Sequence, residues 1–264
     1  MITIVQQYDN YYSKLADLVN SNKIQYALKY GYNYLFYNEE LKHGDEWYWH
    51  NTLGILKAIE DDRCKSDWIF WTDVDSLIMN IDIDIKQYTY NISDDIQIIA
   101  SLWITPHPFD LLNLKSDIIM IPRSNFSGTN YQIHTGNFLI RRSKKAIKIL
   151  QNIYEDKRFR ERPELIIESS GDEGAYAIYY LAYPEVRKQF KILKTDVFCT
   201  VPIEAYSHLR VEKYKGHTNI KMYESGDFIL HALGRWPTIK DIAEWKYNIL
   251  RKYYNNEKCN YSWV

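Results

Sequence analysis

The chain has 264 residues with 33 basic and 34 acidic side chains, a net charge of -1, and 24 Tyr, 8 Trp and 9 Phe against only 10 Gly. That length is ample for a buried core, and the balanced charge argues against a nucleic-acid partner. The sparse glycines form no G-x-G-x-x-G and no G-x-x-x-x-G-K-[ST], so a bound nucleotide needs another device to hold its phosphates.

In chain order, Ile2 to Val5 reads as a short buried strand. Tyr11 to Tyr30 reads as a helix with Leu15, Leu18, Val19, Tyr26 and Leu28 as its apolar pattern and Gly31 as its end. Tyr32 to Phe36 is strand-like. A second helix from Trp47 to about Asp61 places Trp49, Leu53, Leu56 and Ile59 on one face, and Trp68 to Trp71 follows as an apolar strand. Further strands are expected at Ile96 to Leu102, Asn137 to Ile140 and Phe228 to His231. Helices are expected at Ser143 to Tyr154, with Ser143 as N-cap, and at Asp172 to Ala182. Alternating strands and helices indicate an α/β sheet, and no repeat or linker divides the chain, so residues 1–264 are read as one domain. Ser101 to Ser127, with Pro106, Pro108 and Pro122, reads as a loop-rich insertion beside a site.

Cys64, Cys199 and Cys259 are far apart and lack C-x-x-C spacing, which argues against a disulfide framework or a thiolate zinc site. The start of the chain has no basic segment followed by an apolar one, and no stretch approaches 18 apolar residues. A soluble, cytoplasmic protein is expected.

Asp73-Val74-Asp75 follows the apolar strand directly, which puts two carboxylates at the carboxyl end of a central strand, where open α/β sheets bind ligands. Asp82-Ile83-Asp84 has the same spacing but lies in a polar stretch and reads as a solvated turn. Hard oxygen ligands suit Mg²⁺ or Mn²⁺, and a metal on a diphosphate would replace the missing Gly-rich loop. A capping or turn role for the pair remains open on spacing alone.

Four collinear blocks, Tyr26 to Tyr32, Trp68 to Asn80, Thr135 to Arg141 and Phe228 to Gly234, lie within about residues 22 to 236 and together resemble glycosyltransferase family 34, whose members transfer galactose, xylose or mannose and have the GT-A fold. Tyr26 to Tyr32 (YALKYGY) is similar to Y-A-x-x-H-G-Y, and Trp68 to Asn80 (WIFWTDVDSLIMN) to W-I-W-W-x-D-x-D-A-x-I-M-N. Thr135 to Arg141 (TGNFLIR) resembles N-T-G-x-F-L-x-R, and Phe228 to Gly234 (FILHALG) resembles the closing H-F-A-G block. The resemblance implies a Rossmann-like mixed sheet flanked by helices. It also implies a divalent metal, usually Mn²⁺, held by Asp73, Asp75 and His231 on a nucleotide-sugar diphosphate. Tyr8, Val74, Gly136, Asn137, Gly234 and Arg235 join Asp73 and Asp75 as nucleotide-sugar-binding candidates. Asp172 and Glu173 are the catalytic candidates, Asp172 facing the donor sugar and Glu173 standing in place of the family's glutamine. Read without the family, His231 is equally a hydrogen-bonded structural residue, Asp172 an N-cap and Arg235 a solvated side chain.

The family retains anomeric configuration, so the resemblance implies an α-linked hexose or pentose moved from a UDP-sugar to a hydroxyl on a glycan or lipid-linked glycan. The alternative is a carbohydrate- or nucleotide-sugar-binding protein on the same scaffold, prompted by departures at His50, Glu173 and Trp236. His134 likewise stands where the family has Asn. Trp103, Phe109, Tyr206 and Trp236 are candidates for stacking on sugars, with core packing as the other reading. The basic and aromatic C-terminal stretch, including Trp245, Lys246 and Tyr247, reads as a helix packed on the domain or lying against a membrane, and Arg141, Arg142, Lys144, Lys145 and Lys148 invite the same suggestion.

Overall fold

A computed structural model of the chain describes residues 1–38, 49–103, 132–157, 172–193, 197–204, 221–232 and 240–258. β1 (Ile2–Tyr8) and β3 (Trp68–Thr72) are buried at every position, as expected of strands covered on both faces. With β2 (Asn33–Asn38), β5 (Ile98–Trp103), β6 (Gln132–Arg141) and β7 (Phe190–Leu193) they form a six-stranded sheet in the order β2-β1-β3-β6-β5-β7. β1 runs parallel to β2 and β3, β6 antiparallel to β3 and β5, and β7 parallel to β5, which is the mixed sheet expected.

The two-residue period of the strands divides the core. Ile69 and Trp71 face α2 (His50–Glu60), α3 (Lys144–Glu155) and α4 (Asp172–Ala182), while Trp68 and Phe70 face Tyr26 and Ala27 of α1 (Ser13–Tyr30) together with Phe198 and Phe228. A four-residue helix, α5 (Pro184–Arg187), leads into β7. β8 (Ile229–His231), expected as a strand from Phe228, pairs with β4 (Ser76–Ile78), which was not expected, in a second antiparallel sheet. Ser143 caps α3 by accepting from Ala146 N at 3.0 Å, and Gly31 ends α1 at φ 66°, a left-handed conformation that favours glycine.

Several expectations are corrected. Leu28 is 76% exposed, and the buried face of α1 runs instead through Leu15, Val19, Asn22, Lys23 and Tyr26. In α2 the buried face is Asn51, Thr52, Ile55, Ala58 and Ile59, and Leu53 and Leu56 are only partly covered. The reason is Gly54, whose bare Cα lets α2 press on β1 and β3 along that line. Ser101 is buried in β5, so the strand extends into what the prolines suggested was an insertion; the rest of that insertion lies outside the described residues. Asp82 and Asp84 behave as a solvated turn, with Asp82 paired to Lys29 at 2.5 Å and Asp84 capping a short 3-10 turn through Lys86 N at 2.8 Å.

α6 (Ile242–Lys258) packs on α1 and buries Ile242, Ala243, Lys246, Ile249, Leu250 and Tyr254. Lys246 therefore faces inward, not toward a membrane surface. Arg141 lies over the Trp68 ring at 4.7 Å, Arg142 donates to Ile59 O at 3.0 Å and Lys145 pairs with Asp95 at 3.0 Å, so these members of the basic cluster have partners within the fold. Among the described residues no helix is long and apolar enough to cross a membrane. Cys64 and Cys199 are buried free thiols, and Cys259 lies outside the described residues.

A Cβ added at Gly54 would fall 2.6 Å from Gln7 Oε1 and 2.7 Å from the Trp71 ring. Alanine favours a helix by about 1 kcal/mol over glycine, whereas overpacking a rigid core costs about 1–3 kcal/mol. Because Trp71 is fully buried, the clash dominates: Gly54→Ala is expected to lower the urea unfolding midpoint by about 1 kcal/mol equivalent. A higher midpoint would contradict this packing.

Candidate active site

β3 ends at Thr72, and the next residues turn through a backbone bond from Ser76 N to Asp73 O at 3.1 Å. Asp73 N donates to Gly136 O at 2.8 Å, and Lys23 of α1 donates to Asp73 O at 2.7 Å. The Asp73 carboxylate accepts from Trp71 Nε1 at 2.9 Å and lies 3.4 Å from His50 Nε2. Beyond the turn, β4 pairs Ser76 with His231 of β8, and Ala232 N donates to Asp75 O at 2.9 Å. This register sets His231 Nε2 2.9 Å from Asp75 Oδ1 and 3.7 Å from Asp73 Oδ2. Lys246 of α6 holds the other Asp75 oxygen.

One donor atom each from Asp73, Asp75 and His231 lies within 4.8 Å of the others. Gly136 keeps the space between them open, since a Cβ there would stand 2.4 Å from His231 Cε1 and 2.8 Å from Asp73 Oδ2. Two carboxylates and an imidazole around such a cradle fit Mn²⁺ or Mg²⁺. Burial opposes the charge of Asp75, yet Lys246 and then His231 hold it ionised well below the usual carboxylate range. Burial pushes the Lys23 ammonium down to about 7 against the attraction of Asp73 and Asp75.

A second carboxyl pair opens α4. Asp172 accepts from Thr135 Oγ1 at 2.6 Å and from Asn51 Nδ2, both on Oδ2, which ties α4 to β6 and α2; the side chain is no simple N-cap. Burial first, then the charge of Glu173, raises the Asp172 carboxyl to about 7. Burial likewise raises Glu173 to about 8, and its Oε1 stands 3.3 Å from His134 Nδ1.

The sequence matches the galactosyl transferase GMA12/MNN10 family over residues 1–241. The chain belongs to this family. Comparison with curated proteins finds no match. Among solved structures it is similar to a glycosyltransferase involved in the glycosylation of the major capsid of PBCV-1, with 12% identity and a TM-score of 0.62 over 95% of this chain and 98% of that one. It is also similar to the glycosyltransferase GlyE of Streptococcus pneumoniae TIGR4, with 13% identity and a TM-score of 0.50 over 97% of this chain and 64% of that one. The shared fold is that of GT-A glycosyltransferases.

In this galactosyl transferase family member the other sequence candidates fall into two groups. Gly136 and Asn137 sit within the acidic cluster; Asn137 is fully buried and donates to Ser76 Oγ at 3.0 Å. Tyr8 ends β1 and stacks on Phe36 at 6.3 Å, with no hydrogen bond to the acidic cluster among the described residues. The Val74 side chain packs with Leu15, Val19 and Leu77 and only its backbone spans the acid pair. Gly234, Arg235, Tyr206, Phe109, Trp236 and the Trp103 side chain lie outside the described residues. Lys23, Asn51, Thr135 and Lys246 were not anticipated as site residues. Lys23 follows Val19 by four residues and Lys246 follows Ile242 by four, so helical spacing places each on a buried face. A lysine on an apolar stripe was the available signal.

In an unfolded chain an aspartate releases its proton near pH 4, whereas folded Asp172 keeps it to about 7. Folding therefore grows costlier as pH rises from about 4 to about 7, then levels. Asp172→Asn removes that cost, so its stability relative to the parent is expected to improve between pH 5 and pH 8 by on the order of 2 kcal/mol in urea unfolding without metal. A difference independent of pH would mean that Asp172 titrates as an ordinary carboxylate.

Proposed function

We propose that this protein is a metal-dependent retaining glycosyltransferase that moves a hexose or pentose from a UDP-sugar to a hydroxyl of a glycan or lipid-linked glycan, forming an α-glycosidic bond. The observation that carries the reading is the convergence of Asp73, Asp75 and His231 beside Gly136, with a second buried carboxyl pair on α4. Family membership supports glycosyl transfer, and the retained configuration follows from the resemblance described above.

Asp73, Asp75 and His231 would hold the ion. When bound, Mn²⁺ neutralises the charge that builds on the departing diphosphate. Lys246 and His231 keep Asp75 ionised and fix its two oxygens, so the ligand set is formed before the donor arrives. Asn51 and Thr135 both bond Oδ2 of Asp172, which orients Oδ1 as the atom offered to the sugar. An ionised Asp172 can attack the anomeric carbon, or stabilise positive charge there while the acceptor enters on the leaving-group face. Both routes need Asp172 deprotonated and in place. Glu173, where the family has glutamine, stands beside His134 and tunes the charge that Asp172 experiences.

A thermal-shift panel of UDP, GDP and CMP with and without Mn²⁺ tests this directly. The parent is expected to shift with UDP only when Mn²⁺ is present, and Asp73→Ala or Asp75→Ala to lose both that shift and at least about 100-fold in donor turnover. Turnover that persists in EDTA would remove the metal assignment. Asp172→Asn is expected to keep the Mn²⁺-dependent shift but lose about 100-fold or more in kcat; unchanged kcat would take Asp172 out of the reaction.

A further inference from the structure

Three buried side chains that this mechanism does not need as a group adjoin the acid pair. His134 is 0%, His231 2% and Cys199 6% exposed, and one donor atom from each lies within 4.8 Å of the others. We propose that His134, Cys199 and His231 form a second metal site, selective for Zn²⁺, which shares His231 with the acid pair and opposes Mn²⁺ there.

The geometry of the two rings carries the argument. His231 turns Nε2 to Asp75 and Nδ1 to His134, whose Nε2 stands 3.4 Å away. Two nitrogens bound to one tetrahedral zinc at about 2.0–2.1 Å stand about 3.3–3.4 Å apart. Each ring also has a carboxyl group at its far nitrogen, Asp75 for His231 and Glu173 for His134, the arrangement that orients histidine ligands of zinc. Gly136 permits the approach, because a Cβ there would stand 2.4 Å from His231 Cε1 and 2.9 Å from His134 Cε1.

Asn137 adds an independent sign. Its Nδ2 lies 3.3 Å from His134 Nε2 and 3.5 Å from His231 Nδ1 while also bonding Ser76, and its buried Oδ1 has no hydrogen-bond partner among the described residues. A half-turn of this amide would carry Oδ1 to the position of Nδ2 and give the site a fourth donor.

Thiolate and imidazole select zinc, whereas Mn²⁺ and Mg²⁺ prefer oxygen. Binding replaces the Cys199 thiol proton and any proton held between the two rings, and these pass to solvent without electron transfer. A neutral imidazole has one lone pair, so His231 serves either the acid pair through Nε2 or this site through Nδ1. Zinc would therefore lower the affinity of the acid pair for Mn²⁺. This antagonism rests on the proposed Mn²⁺ site; the zinc site does not.

The test titrates metal-free full-length protein with Co²⁺, then Zn²⁺, and repeats the Mn²⁺–UDP thermal shift. One equivalent of Co²⁺ is expected to give thiolate-to-cobalt charge-transfer absorption, displaced by one equivalent of Zn²⁺ and absent from Cys199→Ser. Cys199→Ser and His134→Asn are each expected to weaken Zn²⁺ binding at least tenfold while retaining the Mn²⁺–UDP shift, which also verifies their folding. In the parent, Zn²⁺ should suppress that shift. Absence of the thiolate band in the parent, or unchanged zinc affinity in Cys199→Ser, would overturn the site. A thiolate band displaced by zinc without any Mn²⁺–UDP shift in the parent would support the zinc site and remove the Mn²⁺ reading.

Discussion

The rest of the structure depends on keeping an aspartate ionised inside the protein. Asp75 is 7% exposed, and a buried carboxylate without partners would cost several kcal/mol. The chain meets this with partners from distant sequence: Lys246 of α6 grips one Asp75 oxygen and His231 of β8 the other, while Lys23 of α1 fixes the turn by donating to the Asp73 carbonyl. The packing of α6 on α1 is thus inseparable from the acid pair. Asn22, one residue before Lys23, clamps β4 by exchanging two 2.8 Å hydrogen bonds with the Ile78 backbone. β4 in turn holds β8 and its histidine. One turn of α1 therefore supports both the Asp73 turn and the register of the site.

Sparse glycine and abundant tyrosine follow from the same architecture. Gly136 and Gly54 occupy places where side chains from several elements crowd a single Cα, and a methyl group at either would meet atoms under 3.0 Å away. Tyrosine fills the core while its hydroxyl fixes the chain: Tyr26 donates to Ile83 O at 2.8 Å and Tyr30 to Ile81 O at 2.9 Å. These bonds tie the segment after β4 to α1. Phenylalanine would bury the same ring and leave those carbonyls unpaired. The described aromatic residues thus serve largely as core and staple.

The strands and helices of the main sheet were legible because their burial is periodic. β1 and β3 show continuous apolar runs, and Ser143 and Gly31 mark helix ends by their chemistry. The acid pair and His231 were legible through the motifs that carry the family resemblance. β8 was also expected as a strand, but β4 and the pairing of the two were not, since β4 has three residues and the pairing is set by the Asp73 turn and the Asn22 clamp. Lys23 and Lys246 were missed because a lysine normally signals solvent; here acceptors from distant sequence, the Asp75 carboxylate for Lys246 and the Asp73 carbonyl and Gln6 amide for Lys23, draw them inward. Leu28 was misplaced for the complementary reason: the inward positions nearby were already taken by Lys23, Tyr26 and Ala27.

Burial acts on three carboxyl groups in this site and does not give them one outcome. Lysine and histidine pin Asp75 in its charged form, whereas Asp172 and Glu173, adjacent at the start of α4, have no such lysine among the described residues and are driven toward the neutral form. The asymmetry comes from what each carboxyl group meets: Lys246 of α6 reaches Asp75, while Asp172 takes its hydroxyl and amide donors from Thr135 of β6 and Asn51 of α2. A cation added between the two pairs would favour proton release from Asp172 over any change at Asp75, which is already ionised.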